Sequence, residues 1–269
     1  VGLAAEPDPA TAVRLWSAVA RDARRQGEVV EAGHALRRAL EQVRAAGVAR
    51  FEAVVSTNLA NLHRSTGHLV EAARLYHQAR AAALRLGEVR IEAAALHNLA
   101  GLRLEQHAVG EAIGLAREAL RVARHGGEVA VLAHVAHTLG HLLHHVGAHD
   151  EAEASYLEAI GLLRRVDPSF ACSAEGDLGA LLADRGLVDA AARTLDQVER
   201  ELAPDPVLRA ILELHRAHLD AARARAAGSG EEAERWRATA RARIAAARGV
   251  GGPRCGSAAS LAERVVEGR

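Results

Sequence analysis

From Ala10 onward the apolar and polar positions of this chain return every 40 residues. In Asn58–Ala79, NLANLHRSTGHLVEAARLYHQA, leucines and alanines fall three and four apart on both sides of Gly67. That spacing predicts two amphipathic helices joined by a tight turn, with small residues where they touch. The apolar–small pair recurs as Val19-Ala20, Leu59-Ala60, Leu99-Ala100, Leu139-Gly140 and Leu178-Gly179. The turn recurs at Gly27, Gly67, His107, Gly147 and Gly186, where glycine supplies the positive φ that ends a helix. A Glu-Ala step follows at Glu31, Glu71, Glu111 and Glu151, shortened to Asp189-Ala190, and another alanine comes seven residues after it at Ala39, Ala79, Ala119 and Ala159. Turns between units fall at Gly47, Gly87, Gly127 and Asp167-Pro168. Four markers on one period predict a stack of helix pairs in which no unit can bury its own face.

The boundaries that follow are a disordered lead-in at 1–9 and an array at 10–202, with units at 10–46, 47–86, 87–126, 127–166 and 167–202. A diverged terminal pair at 203–248 caps it, and 249–269 is a loop, GVGGPRCG, with a short final helix over Ser257–Val266.

These residues resemble the tetratricopeptide repeat, whose signature is a large residue, Leu-Gly or Leu-Ala, a turn glycine, an alanine, an aromatic and another alanine. Trp16 holds the first large position, and Tyr76 and Tyr156 hold the later aromatic one. The period exceeds the usual length of about 34 residues. In that it is similar to the longer-helix kind found in kinesin light chains and in bacterial regulatory proteins. His107 in place of glycine, Ala116 in place of the aromatic, and a fifth unit one residue short are departures. The resemblance implies an all-α right-handed superhelix of five to six helix pairs whose concave groove binds a peptide or protein segment.

Composition narrows the classes. Aromatic residues are 2% of the 269, so the core is built from Ala, Leu and Val. Thirty-four basic residues, all arginine, balance thirty-four acids, which argues against a whole-chain nucleic-acid or membrane footprint. With the Ala and Gly content, the absence of lysine points to a GC-rich bacterial genome. Cys172 and Cys255 form no CxxC or paired framework, and no apolar run approaches the roughly 18 residues a membrane span needs. The expectation is a reduced, cytoplasmic protein without a cofactor. The chain begins with Val1, so a GTG start and a fragment of a longer protein both stay open.

The unusual local feature is a histidine stripe, His134, His137, His141, His144 and His145, with His149 past the turn. Spacings of three and four put the first five on one helical face, with Leu132, Val135, Leu139, Leu142 and Leu143 packing on another. By the resemblance the stripe lies where the family lines its groove, together with His97 and Asn98 on the preceding first helix and Asn58, Asn61 and Arg64 on the one before. Asn58 and Asn98 can each offer a peptide backbone both a donor and an acceptor. Three readings of the stripe stand: a solvated groove, a partner-binding surface, or a transition-metal site through the i,i+4 pairs of His137, His141 and His145. No acidic or cysteine ligand is expected to accompany it, which weakens the metal reading. The imidazoles predict a pH dependence of binding or stability between roughly pH 5.5 and 7.5.

Ten arginines against five acids in Arg209–Arg254 predict a solvated capping surface. There is no Gly-rich phosphate loop, HExxH or GxSxG, and Cys172 falls where a repeat helix needs a small buried residue, so an enzyme is not expected. The function predicted is a non-catalytic scaffold. The alternative is the sensor domain of a larger signalling protein, such as a transcription activator or a CHAT-type protease. Self-association through the array ends stays open.

Overall fold

The computed structural model describes residues 8–26, 28–202, 204–251 and 256–267. Among them are thirteen α-helices and no strand. They form two compact units, 1–131 and 132–269. The first holds α1 (Pro9–Gln26), α2 (Val29–Ala45), α3 (Ala49–Ser65), α4 (Leu69–Leu86), α5 (Val89–Glu105) and α6 (Val109–Gly126). The second holds the body of α7 (Val129–His145), then α8 (His149–Val166), α9 (Pro168–Asp184), α10 (Val188–Glu201), α11 (Pro206–Ala227), α12 (Glu231–Gly251) and α13 (Gly256–Glu267).

The punctuation read from the sequence sits at the helix ends. Gly47, Gly67, Gly87, Gly127, Gly147 and Gly186 all take positive φ, and His107 does so at +61°, carrying out the glycine's role in the third turn. Gly27 and the lead-in to residue 7 lie outside the described residues. Where proline opens a helix, an aspartate caps it: Asp167 accepts from the Phe170 amide at 3.1 Å and Asp205 from the Val207 amide at 2.7 Å. The helix α12 continues through Gly251, past the loop expected from Gly249.

Within each unit the core follows the alanine and leucine markers. Ala32, Ala72, Ala112 and Ala152 are fully buried, as are the alanines that follow them at 39, 79, 119 and 159. Size is traded across each helix pair. Tyr156 fills the space that Gly140 leaves, since a Cβ there would lie 2.7 Å from the tyrosine ring. Leu195 does the same at Gly179, also at 2.7 Å. In the third unit alanines take both corresponding places, at Ala100 and Ala116, and both are buried. Such complementary packing leaves no room for one added methyl group.

At the arginine-rich end Arg235, Arg241 and Arg248 are exposed as expected of a solvated surface, while Arg223 and Arg243 are drawn into internal contacts. Asp220 of α11 is only 1% exposed, and it accepts from Arg223 at 3.1 Å and Arg243 at 2.8 Å. Arg223 also lies 4.7 Å over the Trp236 ring. These arginines fasten α12 to α11.

Candidate interaction faces of the two units

The first helices of the pairs carry the polar side chains singled out by the sequence, and the two units use them differently. In the first unit, α3 and α5 hold Asn58, Asn61, Arg64, His97 and Asn98, all half-buried. Asn58 approaches the Ser17 hydroxyl at 3.4 Å, a long contact. Asn61 is turned to its own pair, where its side-chain oxygen accepts from the Tyr76 hydroxyl at 2.5 Å. Arg64 reaches Glu105 at 2.9 Å, and its guanidinium covers Gly101. Asn58, Asn61 and Arg64 therefore all make contacts inside the unit, and His97 and Asn98 stand half-buried side by side on α5.

In the second unit the histidine stripe meets carboxylates. His137 and His215 both donate to Asp177, at 2.7 and 3.0 Å. His144 and His218 both donate to Asp184, at 3.0 Å each. The two aspartates lie seven residues apart on α9, as do His137 and His144 on α7, so equal helical spacing brings both rungs into register. From α11, three residues apart, His215 and His218 close the other side. An ionised carboxylate only accepts, so each imidazole must present its N–H. The expectation that no acidic residue accompanies the stripe is thus corrected: the acids arrive from the next helix pair, 40 residues on in each case.

The rungs are buried. His144, His215 and His218 are 6%, 4% and 3% exposed. Burial alone would raise the pKa of Asp177, but the hydrogen bonds from His137 and His215 hold it well below the usual carboxylate range. Asp184 is lowered in the same way by His144 and His218, against its own desolvation. Arg225 adds a cation 3.8 Å from Asp184. The remaining stripe members also have partners inside the unit. His134 packs on the Phe170 ring at 4.7 Å, and the Nδ1 atom of His145 accepts from Arg264 at 3.0 Å.

Between the rungs sits His141. Burial pushes its pKa down to about 4, assisted by His137, His144 and His145 and opposed by Asp177. The adjoining cavity, lined by His141, His144, Asp177, Ala180, Leu214, His215 and His218, measures about 10 Å³. That is room for about one water and not for a side chain of a partner. A metal needs three converging ligand atoms, and among the described residues only Cys172, Glu175 and Glu201 bring three within 4.8 Å. Arg164 already occupies Glu175 there, at 2.7 Å, and burial, with Glu175 and Glu201, raises the Cys172 pKa, which disfavours the thiolate.

The sign of the pH dependence follows from His141. A histidine whose folded pKa is depressed stabilises the fold above its unfolded value of about 6.5 and loses that contribution as pH falls toward 4. Asp177 and Asp184 are depressed carboxylates, and their contribution is lost only below the ordinary carboxylate range. The second unit is therefore expected to lose about 2 kcal/mol between pH 7 and pH 5. Urea unfolding at the two pH values checks this, and His141→Gln should flatten the difference.

No protein-family model and no curated protein matches the chain. Solved structures do. The chain is similar to the kinesin light chain TPR-like repeats of Podosopora anserina, with TM-score 0.56 and 19% identity over 72% of this chain and 95% of that one. The fold is that of the tetratricopeptide repeat proteins. A Rap protein complexed with Competence and Sporulation Factor shares it at TM-score 0.63 and 16% identity, over 96% of this chain and 74% of the other. A signal transduction ATPase from Pyrococcus horikoshii with a tetratricopeptide repeat sensor shares it at TM-score 0.67 and 13% identity, over 98% of this chain and 39% of that one. Among the described residues, no helix is long and apolar enough to cross a membrane.

Proposed function

We propose that the chain is a non-catalytic interaction scaffold that binds an extended peptide or protein segment on the first-helix face of its first unit. The observation that supports this is the pairing of Asn58 with Asn98 at one register of α3 and α5, both half-buried, with His97 beside them. An amide at a repeated position can bond the N–H and C=O of an extended backbone at successive points. In the second unit His137 and His144 are engaged in internal His–Asp bonds, which favours the first unit over the stripe of His134, His137, His141, His144 and His145 as the peptide site. The Rap complex, a neighbour in fold, fits such a role. A second reading rests on the sensor-bearing ATPase, of which this chain matches 39%: the same scaffold would then report its peptide to a larger cytoplasmic signalling protein.

The test is selection from a displayed random-peptide library. The wild-type chain should enrich a consensus, and a synthetic consensus peptide should bind Asn58→Ala/Asn98→Ala at least about tenfold more weakly, the loss expected for two backbone hydrogen bonds. His137→Ala, in the other unit, should leave that affinity unchanged. Equal affinity for the double variant, or no enrichment by the wild type, sinks the proposal.

A further inference from the structure

Among the described residues, the outer stripe of α1 lacks the cover that the same stripe has in α3 and α5. Leu15, Val19 and Asp22 follow one another at four and three residues, on one side of the helix. Forty residues on, in α3, the stripe is Val55, Leu59 and Leu62, and in α5 it is Ala95, Leu99 and Leu102. All six of these are buried, at 5% exposure or less. In α3 the second helix of the preceding pair supplies the cover. Val55, Leu59 and Leu62 share a core with Leu36, Leu40 and Val43 of α2, and a Cβ on Gly33 of α2 would lie 3.5 Å from Cδ2 of Leu62. In α1 the stripe is open, with Leu15 52% and Val19 41% exposed and Asp22 exposed beside them.

The stripe is apolar at two positions, and its third position decides what can cover it. Another helix pair, stacked as α2 is on α3, would press apolar side chains onto Asp22, where α3 and α5 carry leucine. Burying a carboxylate against such a surface is costly. A second copy of α1 laid antiparallel avoids that cost. A two-fold axis at Ala18, itself exposed, brings Leu15 and Val19 of one copy near Val19 and Leu15 of the other. The same axis sets Arg14 of each copy level with Asp22 of the other, since both are exposed and each lies four residues from Ala18. The face is thus complementary to itself in apolar contact and in charge, as a closed two-fold interface requires.

We propose that this face of α1 joins two copies of the chain in an antiparallel, two-fold dimer. Each copy contributes two apolar side chains, one arginine and one aspartate. So small a contact makes a weak dimer, with dissociation in the micromolar range. The proposal does not rest on the peptide site assigned to Asn58 and Asn98, and the two readings fail separately.

Sedimentation equilibrium of the full chain, from low to high micromolar concentration, reads the dimer directly. The wild type should pass from monomer to dimer across that range. Val19→Asp should raise the dissociation constant at least about tenfold, because it removes an apolar contact from each copy. Leu15→Asp, at a more exposed position, serves as the second variant should Val19→Asp not fold, with circular dichroism as the check. Charge reversal tests the pairing. Arg14→Asp and Asp22→Arg should each weaken the dimer about threefold, and the two together in one chain should restore it. Val70→Asp, at a position 83% exposed on α4, should leave the dimer unchanged. A wild type that stays monomeric throughout overturns the proposal and leaves the face to a partner of different sequence. A dimer indifferent to Val19→Asp and Leu15→Asp overturns it by placing the contact elsewhere. Single reversals that are not rescued by the double one overturn the antiparallel pairing.

Discussion

Replacing Asp177 with alanine is expected to destabilise the second unit by about 3–5 kcal/mol at neutral pH, the largest effect of any single change considered for this protein. The side chain accepts from two imidazoles on different helices, at 2.7 and 3.0 Å, so its removal leaves two N–H groups without an acceptor. One of these belongs to His215, which is 4% exposed, and water cannot take over. Asp177 is strongly stabilised in its ionised form, so alanine removes a charge the fold depends on. The measurement is thermal unfolding, where a fall of roughly 10 °C is expected for a unit of this size. Asp177→Asn keeps one acceptor and should fall between alanine and wild type. A loss under about 0.5 kcal/mol for alanine would mean that the helices are held by the surrounding leucines alone.

Glycine 176 supplies the second large effect. In the middle of a helix, Gly→Ala is ordinarily stabilising by about 1 kcal/mol. At Gly176 the added Cβ would lie 2.3 Å from Nδ1 of His215 and 2.5 Å from its Cε1. His215 is pinned to Asp177 by its other nitrogen and cannot move aside without breaking that bond. The expected outcome for Gly176→Ala is a loss of about 2–3 kcal/mol, as for overpacking elsewhere in close-packed interiors. Gly161→Ala in α8 is the control, because nothing lies within 4 Å of its Cβ position. It should stabilise by the ordinary helix increment of about 0.5–1 kcal/mol. Urea unfolding of the two variants should thus give shifts of opposite sign, and shifts of the same sign would remove the steric argument.

The helix pairs were legible because each marker is a local requirement repeated at a fixed distance. Gly67, Gly87 and Gly147 are needed for positive φ, and Ala72, Ala79, Ala152 and Ala159 for close approach. The sequence also holds half of the His–Asp bonding: 40 residues beyond His137 and His144 lie Asp177 and Asp184. Read along one helix the stripe has no carboxylate. Read down the repeat register it has two, because first helices of adjoining pairs lie side by side. The other half was not legible. His215 and His218 follow their aspartates by 38 and 34 residues, off the period, since the fifth pair is shortened and α11 starts from its own Asp205-Pro206 cap. Asp220 was hidden for a similar reason, as polarity in a charged helix predicts exposure unless its arginine partners in α11 and α12 are known.

The central claim is that His137 and His144 of the histidine stripe form an internal clasp with Asp177 and Asp184 between first helices. The direct test is a double-mutant cycle on His137 and Asp177, measured by urea unfolding of the wild type, His137→Ala, Asp177→Ala and the double variant. A clasp predicts a coupling energy of about 1–3 kcal/mol, with the double variant little worse than Asp177→Ala. Additivity within about 0.5 kcal/mol would contradict it and return His137 to the set of residues free to meet a partner.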